Sequence, residues 1–270
     1  METKLEGLKQ ILEGADGVLV AFSGGVDSTF LLKVTHSVLG DHAVALTASS
    51  PTAPPGELEE AKELARQIGC RHIILDSHEL ENPVFARNPA NRCYYCKDEL
   101  YRICRAEAER LGFPTVVDGT NLDDLKDHRP GHKAAKEWRI RHPLVEAQLT
   151  KADIRQFSRE LNLPTWDKPA IACLSSRFPY GVTINMERLE KIAACERFLR
   201  ELNFRQFRVR YHGEVARIEV ALSEMERLFD VATRAAIVER FQRVGFSFVT
   251  LDLQGYRTGS MNEPLRKKPS

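Results

Sequence analysis

Length, composition and charge describe an ordinary globular chain. The 270 residues are 43% hydrophobic and 29% charged, with a formal net charge of +1, so overall charge gives no basis for binding a polyanion. No stretch approaches the length of a membrane span, and the amphipathic N-terminus lacks the apolar core of a signal peptide. We therefore expect a cytoplasmic protein with neither a nucleic acid nor a membrane as partner.

The first two thirds of the chain alternate between strand and helix patterns. Strand patterns cover Val18–Phe22, Ala43–Ala48, Arg71–Leu75 and Thr115–Val117, and helix patterns cover residues 2–14, Thr29–Leu39, Glu57–Ile68, Asp98–Leu111 and Lys151–Leu161. This βαβ alternation predicts an α/β fold with a doubly wound parallel sheet, whose ligands bind at the carboxyl ends of the strands. Ser23, Ser49 and Asp118, followed by Gly119, would lie at those ends.

The turn SGGVDS joins the first strand to the second helix and has the features of a phosphate-binding loop. Gly24 and Gly25 allow successive backbone N–H groups to turn inward at the positive end of the helix. Ser23 and Ser28 can add hydroxyl donors. The carboxylate of Asp27 would repel a phosphate unless a divalent cation lay between them, so we predict that Asp27 is a Mg²⁺ ligand.

Two common nucleotide loops are excluded, because the turn has neither the GxxxxGK[ST] nor the GxGxxG pattern. SGGxDS instead resembles the loop of the ATP pyrophosphatases, the PP-loop superfamily with the adenine nucleotide alpha hydrolase-like fold. That resemblance implies cleavage of ATP between the α and β phosphates and adenylylation of a substrate oxygen. We expect the loop to bind ATP together with Ser49, Asp118 and Gly119; a glycine-rich turn with a chance Ser and Asp is the alternative.

The pattern changes in the last third of the chain. An aperiodic segment, Thr165–Gly181, precedes helix and strand patterns at Met186–Leu202, Phe207–Tyr211, Ala216–Val220, Ser223–Val244 and Ser247–Leu253. These short elements predict a small α+β unit. The two parts also carry net charges of opposite sign. We predict a PP-loop domain with the reactive cysteines at 1–181 and a substrate-binding and oligomerisation domain at 182–270.

The six cysteines are not expected to form disulfides in a reducing compartment. Cys93 and Cys96 form a C-x-x-C, the spacing at which two thiolates can share a metal or a cluster. Cys173, in the aperiodic segment, is a plausible third thiol, and three thiolates on a [4Fe–4S] cluster leave one iron open for a ligand such as sulfide. A buried, inert cysteine pair is the alternative. Cys70, Cys104 and Cys195 fall on helix or strand patterns and are expected to be core or surface residues.

Several long strings resemble a single family, LarE, over nearly the whole chain. They are SGGVDS, DGTNLDD, the DHRPG stretch, CLSSRFPYG, RVRYHGEVARIE and LDLQGYRTGSMN. The resemblance implies an ATP-dependent sulfur transferase of nickel-pincer cofactor synthesis. Its substrate would be pyridinium-3,5-biscarboxylic acid mononucleotide, of which one carboxylate is adenylylated and then converted to a thiocarboxylate. It also implies a homo-oligomer, in particular a hexamer.

The cysteines distinguish two kinds of LarE member. Simple members use one cysteine, matched here by Cys173, and sacrifice its sulfur to leave dehydroalanine. Because this sequence also has Cys93 and Cys96, it resembles members that hold an oxygen-sensitive [4Fe–4S] cluster and pass on a sulfide carried by the free iron. Sacrifice of the Cys173 sulfur stays the alternative. Ser176 and Arg177 are candidates to orient the acyl adenylate.

Alternating arginines suggest a second anion site. Arg208 and Arg210 lie on one face of a predicted strand, and with Arg257 they could bind the ribose phosphate of the substrate. A solvated sheet face is the alternative.

Two further functions stay open. A PP-loop tRNA thiolase would need an RNA-binding module, and the sequence offers neither terminal C-x-x-C zinc fingers nor a strongly basic domain. A non-enzymatic ATP or metal sensor would not release pyrophosphate.

Overall fold

The computed structural model describes residues 2–126, 130–169 and 172–257. The chain forms two compact units, the first from Met1–Phe85 and Asn91–Ile171 and the second from Ala86–Ala90 and Ala172–Ser270. Part of the DHRPG stretch, at 127–129, and the TGSMN part of the C-terminal string, at 258–262, lie outside the described residues.

The unit boundary differs from the one predicted at residue 181, since residues 86–90 and 172–181 group with the second unit. Hydrogen bonds explain the difference. The side-chain amide of Asn88 donates to the carbonyl oxygens of Phe178 and Pro179 at 3.3 and 2.8 Å, and the Asn88 carbonyl accepts from the Gly181 N–H at 2.9 Å. The division into an ATP domain and a substrate domain stays a prediction.

The first unit contains a four-stranded parallel sheet. Its strands are β1 (Val18–Ala21), β2 (Ala43–Ser49), β3 (Arg71–Asp76) and β4 (Thr115–Asp118), in the order β3-β2-β1-β4. Every residue of β1 is buried, as its unbroken apolar run predicts for a central parallel strand. At its end, Ala21 lies beside Leu46 on β2 and Asp118 on β4. The α/β prediction is confirmed.

Eight α-helices belong to the described part of the sequence up to residue 169. They are α1 (Glu2–Glu13), α2 (Val26–Leu39), α3 (Glu57–Ile68), α4 (Pro83–Ala86), α5 (Arg92–Leu111), α6 (Gly131–Glu137), α7 (Pro143–Glu146) and α8 (Lys151–Glu160). Helix α8 begins with a capping box, because the Thr150 side chain accepts from the Asp153 N–H while the Asp153 carboxylate accepts from the Thr150 N–H. Its apolar residues Ile154 and Phe157 join α1 and α2 in the core on one side of the sheet.

The second unit is a small α+β structure, as predicted. Strands β5 (Phe207–His212) and β6 (Val215–Val220) are antiparallel, and β7 (Phe248–Leu251) runs parallel to β6. Within its described residues, the second unit also has two α-helices, α9 (Met186–Glu201) and α10 (Val231–Val244). The single helix expected over Ser223–Val244 is instead a 3₁₀ segment, Leu222–Phe229, followed by α10. Asp230 caps the new helix by accepting from the Thr233 N–H at 2.8 Å.

None of the helices in the described ranges is both long enough and apolar enough to span a membrane.

Candidate active site

The SGGVDS turn leaves β1 and opens into α2, as the sequence predicts. The hydroxyls of Ser23 and Ser28 lie 3.1 Å apart, and the Ser28 hydroxyl donates to the Gly25 carbonyl at 3.2 Å. Gly24 has a φ of +70°, and a Cβ there would lie 3.2 Å from the Cβ of Ala61 on α3. Among the described residues, no side chain caps the start of α2. The first N–H groups of this helix are therefore available to an anion.

Asp27 lies in the first turn of α2 and has two different oxygen environments. Its Oδ2 accepts from the Lys151 ammonium at 2.6 Å, whereas its Oδ1 is buried without a hydrogen-bond partner in the described structure. A buried anionic oxygen beside a phosphate-binding loop has the chemistry of a Mg²⁺ ligand, since Mg²⁺ in nucleotide sites takes one or two carboxylates plus phosphate oxygens. Asp27 and the adjoining phosphate-binding loop thus have the chemistry of a Mg²⁺ site. Sequence reasoning missed Lys151, because its position in the capping sequence TKAD indicates only a helix start.

Gly119 brings the end of β4 against the loop. A Cβ on Gly119 would lie 2.9 Å from the backbone nitrogen of Ser28, so only glycine allows this approach. Ser49 ends β2 on the other side of β1 and pairs with Asp76 on β3. The predicted strand-end residues therefore lie at one edge of the sheet. Their contacts with ATP stay predictions.

Asp118 is nearly fully buried, and its carboxylate is held by protein groups. Its Oδ2 accepts from the Tyr101 hydroxyl at 2.5 Å, and its Oδ1 lies 2.7 Å from Nδ1 of His142. Burial by itself raises the pKa of Asp118, but the His142 hydrogen bond and the charge of Lys97 outweigh it and hold the pKa well below its usual range. Asp118 thus remains ionised and ties α5 to the end of β4.

Lys168 is another cation that sequence reasoning missed. It lies in the aperiodic segment, yet its ammonium is 3.4 Å from the Gly24 carbonyl oxygen and forms ion pairs with Glu57 and Glu60 at the start of α3. The sequence could have revealed Lys168 only through a helix or strand pattern, and the segment Thr165–Gly181 has no such pattern.

The C-x-x-C pair lies at the start of α5, within its first two turns. Cys93 is exposed and Cys96 is half-buried, and their spacing of three residues places them on the same side of the helix. Cys173 is half-buried and belongs to the second unit. Across the described ranges, no three His, Cys, Asp or Glu side chains are grouped closely enough to hold a metal ion. The [4Fe–4S] cluster therefore stays a prediction.

The other three cysteines are buried, as expected of core residues. Burial raises the pKa of the Cys70 thiol to about 11 and those of Cys104 and Cys195 to about 12. They are inert thiols at neutral pH.

Cys173 is followed by a tight 3₁₀ turn, Leu174–Arg177. The Ser176 hydroxyl donates to the Cys173 carbonyl at 2.8 Å, and Nη1 of Arg177 donates to the same oxygen at 3.2 Å. Arg177 is 3% exposed and forms a two-pronged ion pair with Glu196 on α9, at 2.8 and 3.0 Å. Its guanidinium thus fixes the backbone at Cys173; the predicted role of Ser176 and Arg177 in orienting an acyl adenylate stays a prediction.

The arginines of β5 have different environments although they share a face. Arg210 is buried in a two-pronged ion pair with Glu219, at 2.9 and 2.8 Å, and also donates to the Ser176 carbonyl at 2.7 Å. Arg208 is 7% exposed and donates to the Tyr256 hydroxyl at 3.0 Å. Within the described ranges, no carboxylate forms a salt bridge with Arg208.

The electrostatics of Arg208 suit an incoming anion. Burial and the neighbouring charge of Arg177 lower its pKa. A phosphate would relieve both effects, because it would replace lost solvation and offset the positive charges. Arg257 lies 3.9 Å from Asp252 on the same unit. Of the predicted phosphate ligands, Arg208 is the best placed, whereas Arg210 is committed to Glu219.

Fold and loop together define the class: an ATP pyrophosphatase of the PP-loop superfamily. In agreement, residues 2–89 match the NAD synthase family model.

Comparison with curated proteins identifies the family. The chain is 47% identical over 267 residues to an uncharacterised protein of Synechocystis, covering 99% of this chain and 100% of that protein. It is 37% identical over 268 residues to the pyridinium-3,5-bisthiocarboxylic acid mononucleotide synthase of Lactiplantibacillus plantarum, covering 99% and 96%. Similarity to the tRNA-specific 2-thiouridylase MnmA of Xanthobacter autotrophicus is partial, at 29% identity over 56% of this chain and 49% of that protein. The chain belongs to the LarE family of ATP-using sulfurtransferases.

Proposed function

We propose that this protein uses ATP to adenylylate a carboxylate of pyridinium-3,5-biscarboxylic acid mononucleotide and then converts it to a thiocarboxylate in nickel-pincer cofactor synthesis. The observation that carries the proposal is the similarity, over almost the full length of both chains, to the synthase of L. plantarum. The start of α2 supports the proposal. Its N–H groups, which no described side chain caps, can bind phosphate, and the neighbouring Asp27 carboxylate can bind Mg²⁺, as ATP cleavage requires.

Activation must precede sulfur attack. A carboxylate resists substitution because its leaving group would be oxide, whereas an acyl adenylate releases AMP. The carboxylate oxygen attacks the α phosphorus and pyrophosphate leaves. Ser23, Ser28 and the first N–H groups of α2 would hold that pyrophosphate, and Asp27 would hold a Mg²⁺ that neutralises phosphate charge.

The mononucleotide phosphate is assigned to the second unit. Arg208 supports this assignment because it is buried and has no salt-bridge partner in the described ranges, and Arg257 would assist it. Two-pronged contacts from guanidinium groups suit a phosphate monoester.

For sulfur delivery, we propose that Cys93, Cys96 and Cys173 hold a [4Fe–4S] cluster, which would supply an iron able to carry sulfide. The exposure of Cys93 and the helical spacing of the pair support two of the three ligands. Protein purified without oxygen should carry about four irons per chain. Each of Cys93→Ala, Cys96→Ala and Cys173→Ala should lose this iron, while Cys104→Ala, on the same helix as the pair, should retain it.

Product counting separates this proposal from sacrifice of the Cys173 sulfur. With ATP, Mg²⁺, substrate and added sulfide, we expect more than one thiocarboxylate per chain and an unchanged protein mass. One product per chain, with loss of H₂S localised to Cys173 and activity retained in Cys93→Ala, would contradict cluster delivery. Release of pyrophosphate that depends on the pyridinium substrate tests the adenylylation step itself.

The partial similarity to MnmA keeps a tRNA thiolase as the second candidate. Pyrophosphate release stimulated by tRNA, and not by the pyridinium mononucleotide, would favour it. The hexamer implied by the family stays a prediction, which light scattering on the purified protein can test.

A further inference from the structure

The phosphate loop carries no basic side chain of its own. The only charged residue in SGGVDS is Asp27, which is negative. The β and γ phosphates of ATP bring several negative charges to this turn, and backbone N–H groups supply only partial charges to balance them. A side-chain cation from another part of the first unit would add a full positive charge beside the proposed Mg²⁺. In the described part of the first unit, Lys151 is bound to Asp27 at 2.6 Å, and Lys168 contacts the loop backbone at the Gly24 carbonyl.

Lys168 lies between the loop and the start of α3. Its ammonium is 3.4 Å from the Gly24 carbonyl oxygen, 3.0 Å from Glu57 and 2.7 Å from Glu60. The side chains of Lys168 and Glu57 are only 14% and 13% exposed, whereas that of Glu60 is 54% exposed. Water therefore solvates the Glu60 carboxylate well but largely not the Glu57 pair. The partly exposed Glu60 pair contributes little binding energy and is the more readily exchanged of the two.

The backbone of Lys168 is anchored independently of its ammonium. Arg155 on α8 donates to the carbonyl oxygens of Trp166 and Lys168, at 2.7 and 2.8 Å. The Arg159 guanidinium also lies over the Trp166 ring, 5.2 Å from its centroid. With the backbone fixed and a stem of four methylene groups, the ammonium can change partner by rotation about side-chain bonds alone.

We propose that Lys168 is a ligand of the pyrophosphate portion of ATP, and that its ammonium exchanges the carboxylates of Glu57 and Glu60 for β- or γ-phosphate oxygens when the nucleotide binds. This inference rests on the proposed use of ATP by the loop. Phosphate is a stronger partner because it carries more negative charge and accepts charge-assisted hydrogen bonds. The two glutamates hold the ammonium in place in the free protein.

Calorimetric titration can test the proposal with three probes: pyrophosphate, α,β-methylene-ATP, which resists cleavage at the reactive bond, and AMP, which lacks the β and γ phosphates. Lys168→Met should weaken binding of the first two by about tenfold or more, as expected for loss of a charged hydrogen bond, and leave AMP affinity unchanged. Lys168→Arg should retain most of the affinity. Lys62→Met is the matched control, because Lys62 lies on α3 and pairs only with Glu59 at 3.5 Å among the described contacts.

Equal affinities of Lys168→Met and wild type for pyrophosphate would overturn the inference. An equal loss for AMP would also overturn it, by indicating a structural effect. If Lys168→Met does not fold, Glu60→Gln gives a second test: removing a competing carboxylate should tighten pyrophosphate binding severalfold, and weaker or unchanged binding would refute the exchange. Wild type that binds neither pyrophosphate nor the ATP analogue would instead refute the proposed function of the loop.

Discussion

Replacing Arg210 by methionine should lower the stability of the protein, whereas replacing Arg208 should weaken binding of the mononucleotide, although the two side chains project from the same face of β5. Arg210→Met leaves Glu219, which is fully buried, without its two-pronged partner. Arg208→Met removes a cation that has no salt bridge in the described ranges.

The structure sets the expected size of each effect. Breaking a buried ion pair by removing one partner costs about 3–5 kcal/mol of unfolding free energy. Arg217 still reaches Glu219 at 3.2 Å, so we expect about 3 kcal/mol for Arg210→Met. Arg208→Met loses one hydrogen bond and the contact with the Tyr256 ring, but it also removes repulsion from Arg177. Its effect should stay within about 1 kcal/mol.

Urea denaturation followed by circular dichroism measures both stabilities, and titration with the mononucleotide measures function. Arg208→Met should unfold at a urea concentration close to wild type yet bind the mononucleotide at least tenfold more weakly, with ATP affinity unchanged. Arg210→Met should be the less stable variant. If Arg210→Met proved as stable as Arg208→Met, or if Arg208→Met bound the mononucleotide normally, the assignment of structural and binding roles to these arginines would be refuted.

Three further predictions concern the first unit. Asp27→Asn should fold but release almost no pyrophosphate, because the metal ion loses its anionic ligand; near-normal release would remove Asp27 from the metal site. Gly119→Ala should weaken ATP binding, since its Cβ would lie 2.9 Å from the Ser28 nitrogen and displace the loop; unchanged affinity in a titration would contradict this close approach. Burial alone raises the pKa of Asp153, but hydrogen bonds from Lys4 and Thr150 outweigh it and lower this pKa from 3.8 to about 2. The ionised carboxylate therefore stabilises the folded protein above pH 3.8, and this stabilisation is lost as the pH falls through 2. The difference in urea midpoint between wild type and Asp153→Asn should therefore be constant from about pH 7 to 5 and shrink by about pH 3, and a difference that grows in acid would be inconsistent with the lowered pKa.

The parallel sheet could be predicted because its signals are local. The apolar run at β1 is fully buried, and glycines end α3 and α5 where the periodicity predicts. The phosphate loop is equally local, since six consecutive residues define it. One local signal was missed: Asp230 lies within a continuous helical pattern, but its side chain starts a new helix.

Partners distant in sequence could not be predicted. Alternation places Arg208 and Arg210 on one face, and the register puts Arg208 directly opposite Glu219. The carboxylate nevertheless pairs with Arg210, its diagonal neighbour. The choice depends on side-chain packing, which no sequence period encodes. The contact of Lys168 with Gly24 joins residues 144 positions apart, and it likewise depends on packing that no sequence period encodes.

The early position of residues 86–90 has a consequence for protein synthesis. Asn88 is fully buried in the second unit, but its partner Phe178 is made 90 residues later. At translation rates of about 5–20 residues per second, Asn88 waits roughly 5 to 20 seconds before that partner exists. During that interval the side-chain amide of Asn88 can hydrogen-bond only to water or to other parts of the chain already made. A gene split after residue 171 would yield a C-terminal fragment that lacks residues 86–90 and their hydrogen bonds. We expect a short peptide covering residues 86–90 to restore the folding of this fragment.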